Sequence, residues 1–564
     1  MKFPSGHSIP IRIKIEKERF QTVYLTNFRY INLKKTLKLD SLGTLPDNMV
    51  RIPTAVSGLP ILFIENYAGK LVGEFLADRF EVTNKEYKRF VDSGGYSNKN
   101  YWKYPVYEEG KEIPLDKALE LFTDRTGRPG PARWEAGTYL NGKDNHPVAG
   151  VSWYEAAAYT AFAGKRLPTV YHWNVMAQTH LSMYTVPLSN FNGNGTVPVG
   201  TMDGLSSYGI YDLAGNVREW CYNGDGINGE AYIMGGGWND PEQSFIQART
   251  QPSIDRSLSN GFRCIMELPG DPTISSLTGP LEKAFRDYRI EKPVDDQTYN
   301  IFLRQYDYDK TPLNARITAT ADTGLWKVEK IVMDAGYSDE KLIVYLFIPR
   351  KAQPPYQPVI LFPGANAIIM DMISSNFIQR IDFIVKSGRL LVYPVLKGTY
   401  ERKDELKSGR PDETVFYRDH VIMWRKDIGR AIDYLETRSD ILSDRIGYFG
   451  WSWGGRLGGL IPAVEKRIKA IVIHVGGLDE NKSLPEVDAL NFVSRIKQPV
   501  LMLNGKYDAV FPVESSQIPM FNLFGTPPED KNIKIYDTGH LVPKTEMIKE
   551  TLAWYDKYLG PVKQ

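Results

Sequence analysis

The chain has 564 residues, 42% apolar and 24% charged, with a formal net charge of +2. One hydrophobic core stops growing at about 250–300 residues, so two large domains are expected. The near-neutral balance, without a basic block, excludes an evident nucleic-acid or anionic-membrane partner. Two cysteines, Cys221 and Cys264, exclude a disulfide-dense scaffold and a cysteine zinc cluster; they are either buried thiols or one mutual disulfide. No run approaches the roughly eighteen apolar residues of a membrane span, and the first twenty residues hold no apolar signal-peptide core. As written, the chain is expected in the cytoplasm; as a piece of a membrane-anchored protein it would be periplasmic or extracellular.

Residues 1–45 alternate apolar and polar, as in "IPIRIKIEKERF" and "TVYLTNFRYINLKK". That period predicts strands, in a segment too short to be stable without a neighbour. Residues 46–268 are broken by Gly, Asn, Asp and Trp. Two helices stand out there. "VTNKEYKRFVDSGG" opens on a Thr/Asn cap and stops at glycine. "SWYEAAAYTAFAGKRLP" has Ser152 as cap, Glu155 three residues on and Gly164 as stop, a capping box with a C-cap. Loops dominate beyond residue 180. Residues 269–300 predict a linker carrying one amphipathic helix, and 301–564 a second domain. In it "WKVEKIVMDA" and "KLIVYLFIPR" predict a hairpin. The apolar runs "PVILFPG", "RLLVYPV", "RIGYFGWS", "AIVIHVGG" and "PVLMLNG" then predict strands buried on both faces, with helical stretches such as "DHVIMWRKDIGRAIDYLETR" between them. Strand alternating with helix means an α/β doubly wound sheet.

Within that second domain, "GYFGWSWGGRLGGL" places Ser452 between Gly450 and Gly454 where a strand turns into a helix. G-x-S-x-G in that context is the pattern of a serine nucleophile, because glycines let strand and helix approach closely. A plain Gly-rich turn is the alternative. Asp508 follows a later strand in "GKYD", and His540 follows another in "TGH", giving the order Ser, Asp, His. Asp479 in "HVGGLDE" is a competing acid, and His474 within an apolar run reads as a core histidine. The loop Gly364, Ala365 and Asn366 after an early strand, with the N–H of Trp453, could hold a developing oxyanion. Trp451 and Trp453 either line an acyl pocket or pack in the core. Residues 397–419 are either a lid or a solvated loop.

The C-terminal part, about 275–562, resembles α/β-hydrolases of the dienelactone hydrolase and prolyl oligopeptidase-like group through "GWSWGG", "GKYD" and "TGH". The resemblance implies an esterase or peptidase scaffold. The N-terminal strands resemble the end of a small PEGA-type sandwich. "GEFLADRFEVTNKEYKRFVDSGGY", "HPVAGVSWYEAAAYTAFAGKRLPTVYHWNVMA", "YGIYDLAGNVREWC", "YIMGGGWND" and "NGFRC" run in order. Over about 47–267 they resemble the formylglycine-generating enzyme, or sulfatase-modifying factor, family, which implies a C-type-lectin-like fold with little regular secondary structure. The family's oxidases bind copper through two thiols; Asp240 and Phe245 stand at the matching positions, so neither copper nor formylglycine formation is expected. The resemblance also implies a structural Ca²⁺ on Asp212, Gly215, Val217 and Glu219, with a weaker second site near Asn190 and Phe191. Alternatively, Asn216 and Glu219 only pin the loop.

The expected architecture is therefore multidomain, α+β and α/β: a C-type-lectin-like domain followed by a doubly wound hydrolase sheet. The domain order resembles the C-terminal parts of certain bacterial receptor-type serine/threonine kinases, although no kinase motif is present. Two readings of function follow. One is a serine hydrolase without a required cofactor, acting on a small-molecule ester in preference to a peptide, with an idle N-terminal domain. The other is a ligand-binding module associated with a signalling kinase system, with an idle triad. A third reading, some other oxidation by the N-terminal half, is opposed by the missing thiols.

Overall fold

The computed structural model describes all residues except 1–10, 28–37, 58–63, 65–68, 225–228, 283–285 and 563–564. Two compact units are present, Met1–Phe285 and Arg286–Gln564. The division falls inside the stretch expected to be a linker. On its first side Asn223 Nδ2 donates to the Leu277 carbonyl at 2.8 Å, so this part packs on the first unit. On its second side Tyr288 and Tyr299 enter the core of the second unit. Among the described residues of 269–300 only the short helix Ile274–Leu277 lies within that stretch; the longer helix Asp296–Tyr306 starts at its end and runs mostly beyond it.

In the first unit, strands Ile11–Ile15 and Val23–Asn27 pair antiparallel. The Arg79 guanidinium lies 5.7 Å from the centre of the Tyr24 ring, which ties this hairpin to its neighbour. Of the alternating segment 1–45, residues 1–10 and 28–37 lie outside the described residues. Both capped helices form, as Asn84–Asp92 behind Thr83 and Trp153–Ala163 behind Ser152, each with a complete capping box. Gly164 ends the second helix at φ 66°, the left-handed conformation that glycine adopts without steric cost. The rest is short strands and loops. One sheet runs Arg249–Pro252, Glu230–Met234, Arg218–Gly224, Asn260–Gly261; another runs Ile265–Glu267, Phe75–Asp78, Met49–Ile52.

With so little regular structure, side chains carry the packing. Tyr87 stacks on Tyr159 with ring centres 5.4 Å apart inside an aromatic core. Arg263 and Glu219 form an ion pair with both side chains fully buried. Arg263 Nε donates to both Glu219 oxygens at 2.8 Å, and its Nη2 donates to the Tyr211 carbonyl at 2.9 Å. Trp173 Nε1 donates to Glu219 at 3.0 Å. Glu81 accepts from the Val217 N–H at 3.0 Å and from Asn216 Nδ2 at 2.7 Å. Asp212 accepts from the Gly200 N–H at 2.6 Å. One guanidinium thus serves a pocket with three carboxyls. Burial pushes the Glu81 carboxyl well up, helped by the charges of Asp212 and Glu219, and burial pushes Asp212 up to about 6.

The second unit is built on a nine-stranded sheet. Its strands are β1 (Arg316–Asp322), β2 (Trp326–Asp334), β3 (Lys341–Pro349), β4 (Pro358–Phe362), β5 (Leu390–Val395), β6 (Ile446–Trp451), β7 (Ile468–His474), β8 (Val500–Gly505) and β9 (Lys531–Tyr536). Their order is β1-β2-β3-β5-β4-β6-β7-β8-β9. The β2–β3 hairpin is the one expected from sequence, and β4 to β9 are all parallel. The pleat sends alternate residues to opposite cores. Ile360 and Phe362 face the side covered by helix Val415–Glu436; Val359 and Leu361 face helix Lys544–Leu559. Both faces are covered, which explains why these strands read as continuous apolar runs. Strand β1 was not legible, because all seven of its residues are exposed.

Two outcomes follow. Arg263→Met leaves Glu219 buried without its cation and should cost about 3–5 kcal/mol, measured by denaturant unfolding; a loss below about 1 kcal/mol would contradict the pair's role. The Asp212 carboxyl holds its proton more tightly folded than unfolded. Its contribution is therefore fully present below the ordinary carboxyl pKa and is lost as pH rises through about 6. Asp212→Asn should flatten that decline, gaining about 2–3 kcal/mol at pH 7.5 relative to pH 4, read from unfolding curves at the two pH values.

Candidate active site

Strand β6 ends at Trp451, and helix Trp453–Leu457 begins one residue later. Ser452 makes the whole turn, at φ 53° and ψ −101°. A side chain on Gly450 would run into the Gly454 carbonyl, and one on Gly454 into the Phe362 carbonyl. Both glycines are therefore required by close approach, as the motif predicts. The turn is tied down by its backbone. The Ser452 N–H donates to the His474 carbonyl at 2.9 Å, and the Gly454 N–H to the Pro363 carbonyl at 3.0 Å. Tyr448 Oη donates to the Gly454 carbonyl at 2.6 Å.

The structure brings the three predicted residues together. Ser452 Oγ lies 2.7 Å from His540 Nε2. His540 Nδ1 lies 2.9 Å from each Asp508 carboxylate oxygen. A carboxylate only accepts, so Nδ1 carries the proton and Nε2 accepts from the serine. Asp508 is fully buried and also accepts the N–H groups of Val510 at 2.8 Å and Phe511 at 3.2 Å, which fix its orientation. The Asp508 and His540 loops are joined by the Lys506 N–H to the Tyr536 carbonyl (2.7 Å) and the Tyr507 N–H to the Thr538 carbonyl (2.9 Å). Gly505 permits this, because a side chain there would collide with the Gly539 carbonyl.

Asp479, the competing acid, is placed elsewhere: it pairs with Arg456 at 2.7 Å. His474 is a core residue, as expected. Its ring centre lies 4.1 Å from that of Trp451, and burial, reinforced by the charge of His540, holds its pKa down to about 3. Both tryptophans pack. Trp451 belongs to one core and Trp453 to the other, where Trp453 meets Trp424 edge-on at 4.7 Å. Residues 397–419 are no solvated loop along their whole length. Arg402 pairs with buried Asp427 at 2.7 Å, Asp404 bonds His420 at 2.9 Å, and the Gly409 carbonyl accepts from Arg456. Gly364 lies beside the serine; a Cβ on it would sit 3.7 Å from Ser452 Cβ. Ala365 and Asn366 are exposed and open the short helix Asn366–Ile369, and Trp453 opens its own helix. At these positions the N–H groups have no intrahelical partner.

One contributor escaped the sequence reading. Val475 sits at φ 47°, a region a β-branched residue almost never adopts. It follows the carbonyl that holds Ser452. The next residue, Gly476, packs backbone to backbone on Gly455, where a Cβ on Gly455 would come within 2.9 Å of the Gly476 Cα. The following glycines of "HVGG" were the one available signal.

At the two positions matched to the oxidases' copper thiols, the first unit holds an ion-paired carboxylate and a buried ring. Asp240 forms a two-point pair with Arg218, both bonds 2.6 Å. Phe245 is fully buried, edge-on to Trp173. Neither position offers a soft ligand. Cys221 and Cys264 are free buried thiols, not a disulfide, and burial raises both. In the turn expected to hold calcium, the Glu219 carboxylate already has a cationic partner. Glu219 is committed to Arg263, the Val217 N–H to Glu81, and the Gly215 N–H to the Gly235 carbonyl at 3.1 Å. The Asn190 carbonyl, near the weaker second site, accepts from the Asn216 N–H at 2.9 Å. Among the described residues no three His, Cys, Asp or Glu side chains are grouped to hold a metal ion. The alternative, a loop pinned by Asn216 and Glu219, matches these bonds. No helix among the described residues is long and apolar enough to cross a membrane.

Comparison with known proteins matches residues 69–268 to the sulfatase-modifying factor enzyme 1-like domain and residues 344–540 to the dienelactone hydrolase family. The formylglycine-generating enzyme of Thermomonospora curvata is 31% identical over 181 residues, covering 26% of this chain and 59% of that protein. The inactive C-alpha-formylglycine-generating enzyme 2 of Bos taurus is 30% identical over 234 residues, covering 34% of this chain and 77% of its own length. The serine/threonine-protein kinase pkn1 of Chlamydia caviae is 30% identical over 155 residues, 26% of this chain and 22% of the kinase. Among solved structures, acetyl xylan esterase 1 from Thermoanaerobacterium sp. JW/SL YS485 aligns with 47% of this chain and 94% of its own, at 16% identity and a TM-score of 0.38. The chain belongs to the formylglycine-generating enzyme (sulfatase-modifying factor) family through its first unit and carries a dienelactone hydrolase domain in its second.

Proposed function

We propose that the second unit is a serine esterase working through an acyl-enzyme. The observation that carries this reading is the unbroken relay from Ser452 Oγ through His540 to buried Asp508, at 2.7 and 2.9 Å. His540 Nε2 takes the hydroxyl proton as Ser452 Oγ attacks the ester carbonyl. Asp508 keeps Nδ1–H in place and stabilises the imidazolium. The N–H of Trp453, with those of Gly364, Ala365 and Asn366, receives the negative oxygen of the tetrahedral intermediate. His540 then returns the proton to the leaving alcohol. Water, deprotonated by the same imidazole, cleaves the acyl-serine and restores the hydroxyl. No step calls for a cofactor. The substrate is a small-molecule ester, with a peptide as the alternative.

The first unit is proposed as a recognition module without oxidase activity. The Asp240–Arg218 pair and the buried Phe245 support this, because they occupy the positions of the copper thiols. Its likeness to part of a kinase supports a role in recognition.

Three variants test the esterase. Ser452→Ala should abolish both labelling by a fluorophosphonate and hydrolysis of p-nitrophenyl acetate. His540→Ala should do the same with the fold intact by circular dichroism. Asp508→Asn should lower kcat by about 10⁴, since the imidazole then loses its required tautomer. Labelling that survives Ser452→Ala would move the nucleophile elsewhere, and a folded wild type that never labels would leave the relay without function. Separately, Gly454→Ala should destabilise the unit by several kcal/mol and remove activity, because the new methyl meets the Phe362 carbonyl; an active, equally stable variant would refute the close-approach account of this turn.

A further inference from the structure

The first unit contains a cavity of about 220 Å³ far in sequence from Asp240 and Phe245. Its wall includes Arg125, Arg133, Lys143 and His146, with Trp134 and Tyr139 beside them. Arg125, Arg133 and Lys143 bring three cationic groups to one hollow, beside the imidazole of His146. Burial, then the charge of Arg125, lowers the Arg133 pKa; burial, then the charge of Lys143, lowers that of His146.

Of the carboxylates nearby among the described residues, one pairs with Arg125 and none with Arg133 or Lys143. Arg125 pairs with Glu135 at 3.1 Å, and Asp144 accepts from Tyr139 Oη at 3.0 Å. Arg133 makes one long bond, 3.4 Å, to the Leu258 carbonyl. Lys143 Nζ lies 3.3 Å from His146 Nε2. An ammonium can only donate, so Nε2 accepts and the ring is neutral. Its Nδ1–H then donates to Thr196 Oγ1 at 3.1 Å. His146 therefore has no proton left for a ligand. It holds Lys143 in place instead. Among the described residues neither Arg133 nor Lys143 has a carboxylate partner. Guanidinium and ammonium groups at a cavity wall, with no counter-charge, are complementary to an oxyanion.

The hollow is larger than an inorganic anion needs. A water occupies about 30 Å³ of liquid, so the space exceeds several waters. The remaining wall mixes apolar and aromatic side chains with the polar Asn84, Asn194 and Thr196, and Leu140 is largely exposed.

We propose that this cavity binds an oxyanion, a carboxylate or a phosphate ester, carried on a ring-sized organic body, with Arg133 and Lys143 as the charge partners and the ring against the Trp134–Tyr139 side. The site lies wholly within the first unit and stands or falls independently of the Ser452 chemistry.

The test is titration calorimetry on the full chain with benzoate, phenyl phosphate and inorganic phosphate. Benzamide, which has the shape of benzoate without its charge, is run beside them. Benzoate or phenyl phosphate should bind, benzamide should bind at least about tenfold more weakly, and the preferred acid identifies carboxylate or phosphate ester. Arg133→Gln and Lys143→Gln should each weaken binding by about tenfold or more, with Arg133→Lys recovering part of the loss. Both residues are partly exposed and lightly bonded, so the variants should keep their thermal midpoint and their fluorophosphonate labelling. Equal binding of benzamide and benzoate, unchanged binding by both Gln variants, or no binding below about 10 mM would overturn the proposal. Inorganic phosphate binding as tightly as phenyl phosphate would overturn the assignment of the ring to the aromatic wall.

Discussion

The second unit is organised around one residue forced into a backbone conformation that an L-amino acid avoids. Ser452 at φ 53° is held there from three sides: by the His474 carbonyl on its N–H, by the Pro363 carbonyl on Gly454, and by Tyr448 on the Gly454 carbonyl. Such strain costs on the order of 1–3 kcal/mol and persists only where the surroundings over-determine it. Here the surroundings are the central parallel strands, sealed by cores on both faces. Val475 carries a matching distortion next to the carbonyl that anchors the serine. Two strained residues, on neighbouring strand ends, flank one hydrogen bond, from the Ser452 N–H to the His474 carbonyl. Stability of the sheet and presentation of the hydroxyl are therefore the same property.

How much of this was legible differs between the halves. The parallel strands announced themselves because two buried faces demand uninterrupted apolar residues, and Ser452, Asp508 and His540 fell in order at the ends of such strands. Asp508 could be separated from Asp479 only by geometry. Both follow a strand and both are buried, but Arg456 takes one and His540 the other. Strand β1 was invisible because an exposed edge needs no apolar pattern. The strain at Val475 was invisible because backbone dihedrals of a non-glycine residue leave no mark on composition.

In the first unit, local signals worked and long-range ones did not. Capping boxes involve residues three apart, so Thr83–Glu86 and Ser152–Glu155 were readable. The partner of Glu219 is Arg263, forty-four positions away, and nothing in the turn "AGNVREW" discloses it. The turn therefore reads as a set of oxygens in sequence, while in the structure the Glu219 carboxylate is held by a guanidinium from elsewhere in the chain. The two thiols, free and buried, behave as small apolar side chains. The scaffold of this unit is aromatic packing, two capped helices and a buried charge network that fix the loops.

The relay is assembled from elements of unequal firmness. Ser452 stands at the centre of the sheet, flanked by strands on both sides. His540 hangs from the loop after β9, which has a single hydrogen-bonded neighbour and a half-exposed side-chain pattern. Edge elements of this kind open at lower free energy than the interior they border. Opening of β9 would carry the imidazole away from a serine turn that the inner strands still hold. Under the proposed esterase reading, activity would then report on this margin of the sheet and be lost before the bulk of the unit unfolds.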